Sequence, residues 1–149
     1  MKITILDKQQ NEEDEIIVKC EFLDEGITRL LNQLKNGNSK MNFYKDNQIR
    51  LVEKSEILYF ESVDDKVFAY TQNDVLETRL KLYELEDMLR GKTFIRVQKG
   101  MLLNLMKIKS IKPALSGRYT ALLKNGEQIV ISRKYVLDLK SALKGEETR

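Results

Sequence analysis

The chain has no histidine, no tryptophan and only one cysteine among its 149 residues. Without histidine the usual zinc sites lose their ligands, and a single thiol excludes an internal disulfide. This cysteine, Cys20, lies in the apolar run IIVKCEF. We therefore expect it to pack as a small apolar side chain rather than to act as a reactive thiol.

Long apolar runs are also missing, since none approaches the roughly 18 residues that a membrane-spanning helix needs. The N-terminus, MKITILDKQQNEEDE, becomes acidic where a signal peptide would have its hydrophobic region. These two absences predict a cytoplasmic protein.

The residue patterns of common enzymes are absent as well. There is no histidine to serve as a base, no serine or cysteine nucleophile beside one, and neither a P-loop nor a Rossmann glycine pattern. We therefore predict that the protein is not an enzyme, needs no cofactor or metal and has no small-molecule substrate.

What the sequence does have is an uneven distribution of charge. Residues 1–95 hold 14 Lys/Arg and 19 Asp/Glu, a net charge of −5, whereas residues 96–149 hold 12 and 4, a net charge of +8. The stretch from Thr93 to Pro113, TFIRVQKGMLLNLMKIKSIKP, contains no acidic residue. Such a basic face is suited to a polyanion, because Lys and Arg displace the counterions of phosphates. Charge alone leaves open a solvated surface that binds nothing.

Apolar patterns with a period of two predict a mainly β domain over residues 41–149. The β-type runs are separated by short polar turns, as in an antiparallel meander, and include MNFY, QIRLVEK, EILYFES, KVFAYT and DVLETRL. One short amphipathic helix, LKLYELEDMLRG, interrupts them and is predicted to end at Gly91, and a C-terminal helix follows the last strands. The pattern of residues 1–40 predicts an N-terminal segment of two short strands, KITILD and EIIVKCEF, and a helix from Asp24 to Leu34. This segment could serve dimerisation or contact with a partner.

The segment GRYTALLKNGEQIVISRK predicts a β-hairpin. Asn125-Gly126 between two alternating runs is typical of a two-residue type I′ turn. That turn would put Arg118 directly opposite Arg133, an unfavourable pair unless an anion or a carboxylate lies between them. The alternative is that the two strands separate before Arg118.

Four stretches resemble the LytTR family of bacterial DNA-binding domains in their order and spacing. They are EILYFESVDDKVFAYT, LKLYELEDML, FIRVQKGMLLNLMKIKSI and LKNGEQIVISRKYVLDLKSAL. The resemblance covers about two thirds of the chain, from Met41 to Leu143. It implies a mainly β domain of small packed antiparallel sheets whose loops, rather than a recognition helix, enter successive major grooves. It also implies a homodimer on direct repeats in promoters and, for stand-alone members, a small membrane protein as regulator.

The resemblance also implies three positions at which DNA is read. The first falls on Asp64, Asp65 and Lys66, where we expect Lys66 to contact DNA and the two aspartates to shape the turn. The second falls on Gln98, Lys99 and Gly100, and the third on Arg133. The family commonly has histidine in place of Gln98 and serine in place of Gly100, so a hydroxyl suited to phosphate is missing. The full set of predicted DNA contacts is Lys66, Arg96, Gln98, Lys99, Arg118, Arg133 and Lys134.

Two alternatives remain open from the residues alone. One is a β-barrel that binds single-stranded DNA or RNA, which the basic stretch and the aromatic residues would allow. The aromatic residues that could stack on bases are Tyr59, Phe60, Phe68, Tyr70 and Phe94. The other is a protein-interaction module whose basic face meets an acidic partner. The alternating position of the aromatic residues favours core packing, and Asn104 is expected to satisfy backbone groups rather than to contact DNA.

Overall fold

The computed structural model describes residues 2–36, 40–89 and 93–144, and these fall into two compact units. The first unit ends at Gly37, and between residues 2 and 36 its one regular element is helix α1 (Glu25–Asn36). The predicted helix is therefore confirmed. No described helix is long and apolar enough to cross a membrane.

The two predicted N-terminal strands are wrong. Residues 2–24 contain a turn at Gln10 and Asn11 but no strand, and Ile3 and Ile5 are 85% and 90% exposed. These runs have the composition of strands, but a strand also needs a hydrogen-bonded neighbour, which composition cannot provide. The expectation for Cys20 is wrong for the same reason, because its side chain is exposed.

The second unit is mainly β, as predicted, and its described residues form ten strands in two antiparallel sheets. A seven-stranded sheet has the order β2-β1-β5-β4-β3-β7-β6, and a three-stranded sheet has the order β10-β9-β8. The strands are β1 (Lys40–Lys45), β2 (Gln48–Glu53), β3 (Tyr59–Val63), β4 (Lys66–Tyr70), β5 (Val75–Thr78), β6 (Phe94–Gln98), β7 (Met101–Asn104), β8 (Ile108–Pro113), β9 (Tyr119–Leu123) and β10 (Gln128–Ile131).

Two helices pack on these sheets, α2 (Leu82–Met88) and α3 (Val136–Leu143). Leu85 of α2 is fully buried and belongs to one hydrophobic cluster with Phe60 and Leu102. Leu139 of α3 is fully buried in a second cluster, which includes Leu103. The predicted end of the first helix at Gly91 lies outside the described residues.

Both clusters share strands β3 and β7, so β7 and the first two residues of β3 are covered on both faces. Phe60 is paired with Leu102 and belongs to the first cluster, whereas Tyr59 is paired with Leu103 and belongs to the second. All four residues of β7 are buried. A strand covered on both sides needs a continuous apolar run, which explains why Met101, Leu102 and Leu103 do not alternate with polar residues.

Asn104 ends this buried strand and has the structural role expected of it. It is 1% exposed, its Nδ2 donates to the backbone oxygen of Ile57 at 2.9 Å, and its Oδ1 accepts from the backbone nitrogen of Met106 at 3.0 Å. The side chain thus links the segment before β3 to the segment after β7.

Candidate functional site

The three predicted reading positions lie in loops at the ends of strands, along one side of the two sheets. This side, which we call the loop edge, is formed where β3 ends and β4 begins, where β6 ends and β7 begins, and where β10 ends and β9 begins. Because neighbouring strands are antiparallel, the end of one strand lies beside the start of the next. The two sheets meet at β6 and β10, where Nε2 of Gln98 donates to the backbone oxygen of Val130, 32 residues away in sequence.

Hydrogen bonds connect the three positions in a row. The Ser62 nitrogen donates to the oxygen of Gly100 at 2.8 Å, which joins the first position to the second. The Ser132 nitrogen donates to the oxygen of Val97 at 2.9 Å, which joins the second to the third. The loop edge is therefore fixed by backbone bonds between strands of both sheets.

The first position is a two-residue turn between β3 and β4. Asp64 and Asp65 have φ values of 50° and 65°, and Val63 is paired with Lys66. Positive φ at both central residues is the type I′ geometry, which aspartate tolerates better than most residues. The prediction that the aspartates shape the turn is confirmed. Lys66 is exposed, and its Nζ lies 3.6 Å from Oε1 of Glu77.

The second position is held by Arg96, whose side chain is only 19% exposed. Its Nε donates to Oε2 of Glu86 in α2 at 2.7 Å, and its Nη1 donates to the backbone oxygen of Lys99. The guanidinium therefore connects the loop to α2 instead of pointing into solvent. Lys99 itself is exposed.

Gln98 also has an internal partner. Its Nε2 donates to the backbone oxygen of Val130 at 2.7 Å. Recognition of adenine by glutamine uses the amide nitrogen and the amide oxygen together. In the present conformation one of the two N–H donors of Gln98 is used within the protein, which fixes the orientation of the amide.

The third position is a cleft of about 410 Å³ whose lining is basic and polar: Ser116, Arg118, Ser132, Arg133 and Lys134. Arg118, Arg133 and Lys134 are exposed, and among the described residues no carboxylate forms an ion pair with any of them. Three cations around one cleft produce a positive potential, which attracts anions.

At the opposite ends of the strands of the large sheet, away from the loop edge, the charges are arranged differently. There Lys45 donates to Oδ1 of Asp74 at 2.6 Å, and Arg50 lies 3.4 Å from Oδ2 of the same carboxylate. The hydrogen bond from Lys45 is the main cause that holds the pKa of Asp74 below its usual value, and the charge of Arg50 adds to it. At those strand ends the cations are neutralised, whereas at the third position they are not.

The register predicted for the hairpin is wrong by one residue. Leu122 is paired with Gln128 and Tyr119 with Ile131, so continuation of the ladder puts Arg118 level with Ser132 rather than with Arg133. The loop has three residues, because only Gly126 adopts a positive φ, and the side chain of Asn125 instead accepts a bond from the nitrogen of Glu127. Three-residue loops of this type are the next most common hairpin connection.

The argument from two directly opposed arginines therefore does not hold. Arg118 and Arg133 nevertheless line the same cleft, because the chain turns sharply before Arg118 and after Ser132. Sequence reasoning missed the turn at Ser116 and Gly117, both of which have a positive φ. The dipeptide Ser-Gly was the available signal for that turn.

Comparison with known proteins agrees with this architecture. A search of solved structures finds the LytTr DNA-binding domain of a Bacillus cereus protein, with a TM-score of 0.66 and 24% identity over 70% of this chain and 96% of that one. This likeness shows that the fold is shared.

Relatives are found among curated proteins as well. Proteins named as uncharacterized HTH-type transcriptional regulators of Staphylococcus aureus strains NCTC 8325 and MSSA476 are 24% identical over 145 residues, 96% of this chain and 98% of theirs. The sensory transduction protein LytT of Bacillus cereus is 31% identical over 99 residues, which are 66% of this chain and 40% of that protein. The LytTr DNA-binding domain family matches residues 47–144. The chain therefore belongs to the LytTr DNA-binding domain family, and the resemblance seen in its sequence is confirmed.

Proposed function

We propose that the protein is a transcriptional regulator that binds double-stranded DNA in a sequence-specific manner through the three positions of the loop edge. The main support is the row of hydrogen bonds that fixes these positions relative to one another, with the cation-lined cleft at one end. A rigid row of loops can enter successive grooves without first paying the entropy of ordering them.

Within this proposal Arg133 reads a base and its neighbours hold phosphates. Arginine can donate two parallel hydrogen bonds to O6 and N7 of guanine, a geometry that lysine cannot reproduce. Arg118 and Lys134 line the same cleft as Arg133 and would contact phosphate oxygens beside that base. Lys66 and Lys99 are exposed at the other two positions and have the same role.

Arg96 and Gln98 receive a different assignment from the one that the sequence suggested. Both side chains form hydrogen bonds within the protein, Arg96 to Glu86 and Lys99 and Gln98 to Val130. We assign to both the task of positioning the second loop.

We further propose that two copies bind direct repeats together, as the family resemblance implies. The gain from pairing comes from effective concentration, because the second copy binds next to a site already held by the first. A membrane-protein regulator, implied by the same resemblance, stays a prediction.

Single-strand binding is disfavoured by the position of the aromatic residues. Tyr59 stacks on Tyr70 with ring centroids 4.6 Å apart, and Phe60 lies against Phe94 with centroids 5.4 Å apart. Tyr59 and Phe60 are buried and the other two are half-buried, so these rings are not a platform for bases.

The experiment is selection of duplexes from a random pool by the purified protein, followed by a gel-shift competition between the selected duplex, a scrambled duplex and each single strand. We expect the selected duplex to compete best. If a dimer forms about eight phosphate contacts, log K should fall against log salt with a slope of about −7, at roughly −0.9 per contact. Equal competition by a single strand, or an affinity that is indifferent to salt, would contradict the proposal.

A further inference from the structure

A second basic cleft lies outside the three reading positions. It has a volume of about 380 Å³ and is lined by three cations, Lys40, Lys54 and Arg79. Tyr44 and Met88 form part of its walls. The cleft lies where β1 begins, where β2 and β5 end, and beside the last turn of α2.

Arg79 is held in this cleft by an aromatic ring. Its Cζ lies 4.1 Å from the centroid of the Tyr44 ring, a cation–π contact that fixes the guanidinium without using its N–H groups as donors. In the described part of the chain no carboxylate forms an ion pair with Arg79 or Lys40. A fixed guanidinium with donors to spare suits an anionic oxygen.

The cleft belongs to the same edge of the large sheet as the first two reading positions. Thr78, at the end of β5, is paired with Val67, so Arg79 follows directly beside the start of β4 at Lys66. β1 and β2 come next in the sheet; Lys40 begins β1, and Lys54 directly follows the end of β2 at the same edge.

The distance along this edge can be estimated from the strand order. From β4 to β2 there are three strand spacings, which is about 14 Å at about 4.8 Å each. A duplex that runs across the strands to touch all three reading positions would continue over the cleft. At about 3.4 Å per base pair, 14 Å corresponds to about four base pairs beyond the first reading position.

We infer that this cleft binds phosphate oxygens of the DNA backbone in the flank of the recognition site, independently of base sequence. The inference rests on the proposed function, since it requires a duplex on the loop edge. It adds a fourth contact region, which extends the bound DNA beyond the bases that are read.

The test uses the full-length chain and a duplex with one recognition site. The variant is Lys40→Gln combined with Arg79→Gln; Lys54 is left unchanged because it has another interaction within the protein. Fluorescence anisotropy at several salt concentrations gives the slope of log K against log salt. Duplexes with full flanks are compared with duplexes trimmed on one side or on the other.

For the unaltered protein we expect trimming on one side to make the slope shallower by about two units, at roughly 0.9 per phosphate contact, and trimming on the other side to change it little. The double variant should show the shallower slope on the untrimmed duplex, and trimming should not change it further. Base preference should be the same as in the unaltered protein.

A matched control carries Lys109→Gln and Lys124→Gln, which remove the same charge from exposed residues near the opposite end of the three-stranded sheet. It should keep the original slope. If the double variant also keeps the original salt slope while the unaltered protein prefers duplex DNA to single strands, the cleft does not bind the flank and the inference is wrong. If the unaltered protein shows no preference for duplex over single strand, the proposed function itself fails.

Discussion

The side chain of Arg133 lies directly against the backbone of Gly117. A Cβ atom at residue 117 would be 2.9 Å from Cδ and 3.1 Å from Cγ of Arg133, closer than such contacts normally allow. Gly117 also has a φ of 76°, a conformation that disfavours residues with a Cβ. Glycine is thus favoured both by the backbone conformation of the turn and by the close approach of the arginine side chain.

We predict that Gly117→Ala displaces Arg133 and lowers base discrimination although the guanidinium is still present. The left-handed φ should cost about 1–2 kcal/mol of stability, and the arginine must move to avoid the new methyl group. Thermal unfolding measures the first effect, and the ratio of affinities for selected and scrambled DNA measures the second.

Gly126→Ala is the matched control. Gly126 has a φ of 95° but nothing within 4 Å of a Cβ, and it lies in the hairpin loop at the other end of β9 and β10. The Gly126→Ala variant should lose a similar amount of stability and still discriminate between selected and scrambled DNA. Equal loss of discrimination in both variants would mean that instability, rather than the position of Arg133, is the cause.

A second prediction separates base reading from phosphate binding in the cleft of the third position. Arg133→Ala should cost roughly 1–3 kcal/mol on the selected duplex and relax preference at one base position. Lys134→Ala should weaken all sequences about equally and make the salt slope shallower by about one unit. Quantitative binding to a panel of single-base variants of the selected site measures both effects.

Arg133→Lys tests the geometry of that contact. Lysine keeps the charge but lacks the planar arrangement of donors, so non-specific binding should be retained while discrimination falls. If Arg133→Ala weakens selected and scrambled DNA by the same factor, Arg133 binds phosphate and the reading assignment is wrong.

A third prediction concerns Arg96 and Glu86. Because the guanidinium of Arg96 is bonded to Glu86 and to the oxygen of Lys99, Arg96→Ala should release the second loop and reduce discrimination. The salt slope should stay the same, since no phosphate contact is removed. Glu86→Gln should have a smaller effect in the same direction, because an amide oxygen can still accept from Nε. A slope shallower by about one unit in Arg96→Ala would instead favour a direct phosphate contact.

The strands of the second unit were predictable because their apolar residues alternate with polar ones and because short polar segments indicate the turns between them. β4 and β5, for example, have a buried residue at every second position. The same signal failed before α1, where Ile16 and Ile17 belong to a strand-like run but remain exposed. Local composition expresses a preference for extended backbone, whereas a strand also depends on a distant partner.

The hairpin was predicted at the right place in the sequence but with the wrong register. Asn125-Gly126 indicated a turn at the right place, but the loop length depended on whether Asn125 would adopt a positive φ or use its side chain to bind the Glu127 nitrogen. The two choices differ by one residue in register, and register decides which side chains oppose each other. The internal bonds of Arg96 and Gln98 were likewise invisible, since their partners Glu86 and Val130 are distant in sequence.

A fourth prediction concerns stability. Asn104→Leu removes the donor to Ile57 and the acceptor for Met106, which leaves backbone groups without a partner beside a buried side chain. Each such group costs about 1–3 kcal/mol, so we expect a marked loss of unfolding free energy. Asn104→Asp should lose at least as much at neutral pH, because its buried carboxylate has no donor for the Ile57 oxygen and carries an unpaired charge. Urea unfolding measures both, and Gln128→Leu at an exposed strand position is the control. Near-normal stability of Asn104→Leu would contradict the assigned role.

The last prediction concerns residues 1–37. All three reading positions and both hydrophobic clusters lie in the second unit, so residues 38–149 should fold and retain base preference. α1 is amphipathic in sequence, with Ile27 and Leu31 half-buried but Leu30 and Leu34 exposed, which makes it suitable for contact with another copy. If it joins two copies, truncation should weaken binding to paired sites and leave single-site affinity unchanged, because the effective concentration of the second copy is lost. Gel shifts on single and paired sites separate these effects, with circular dichroism as the check on folding. A folded truncation that no longer distinguishes selected from scrambled DNA would mean that residues 1–37 contain a reading element.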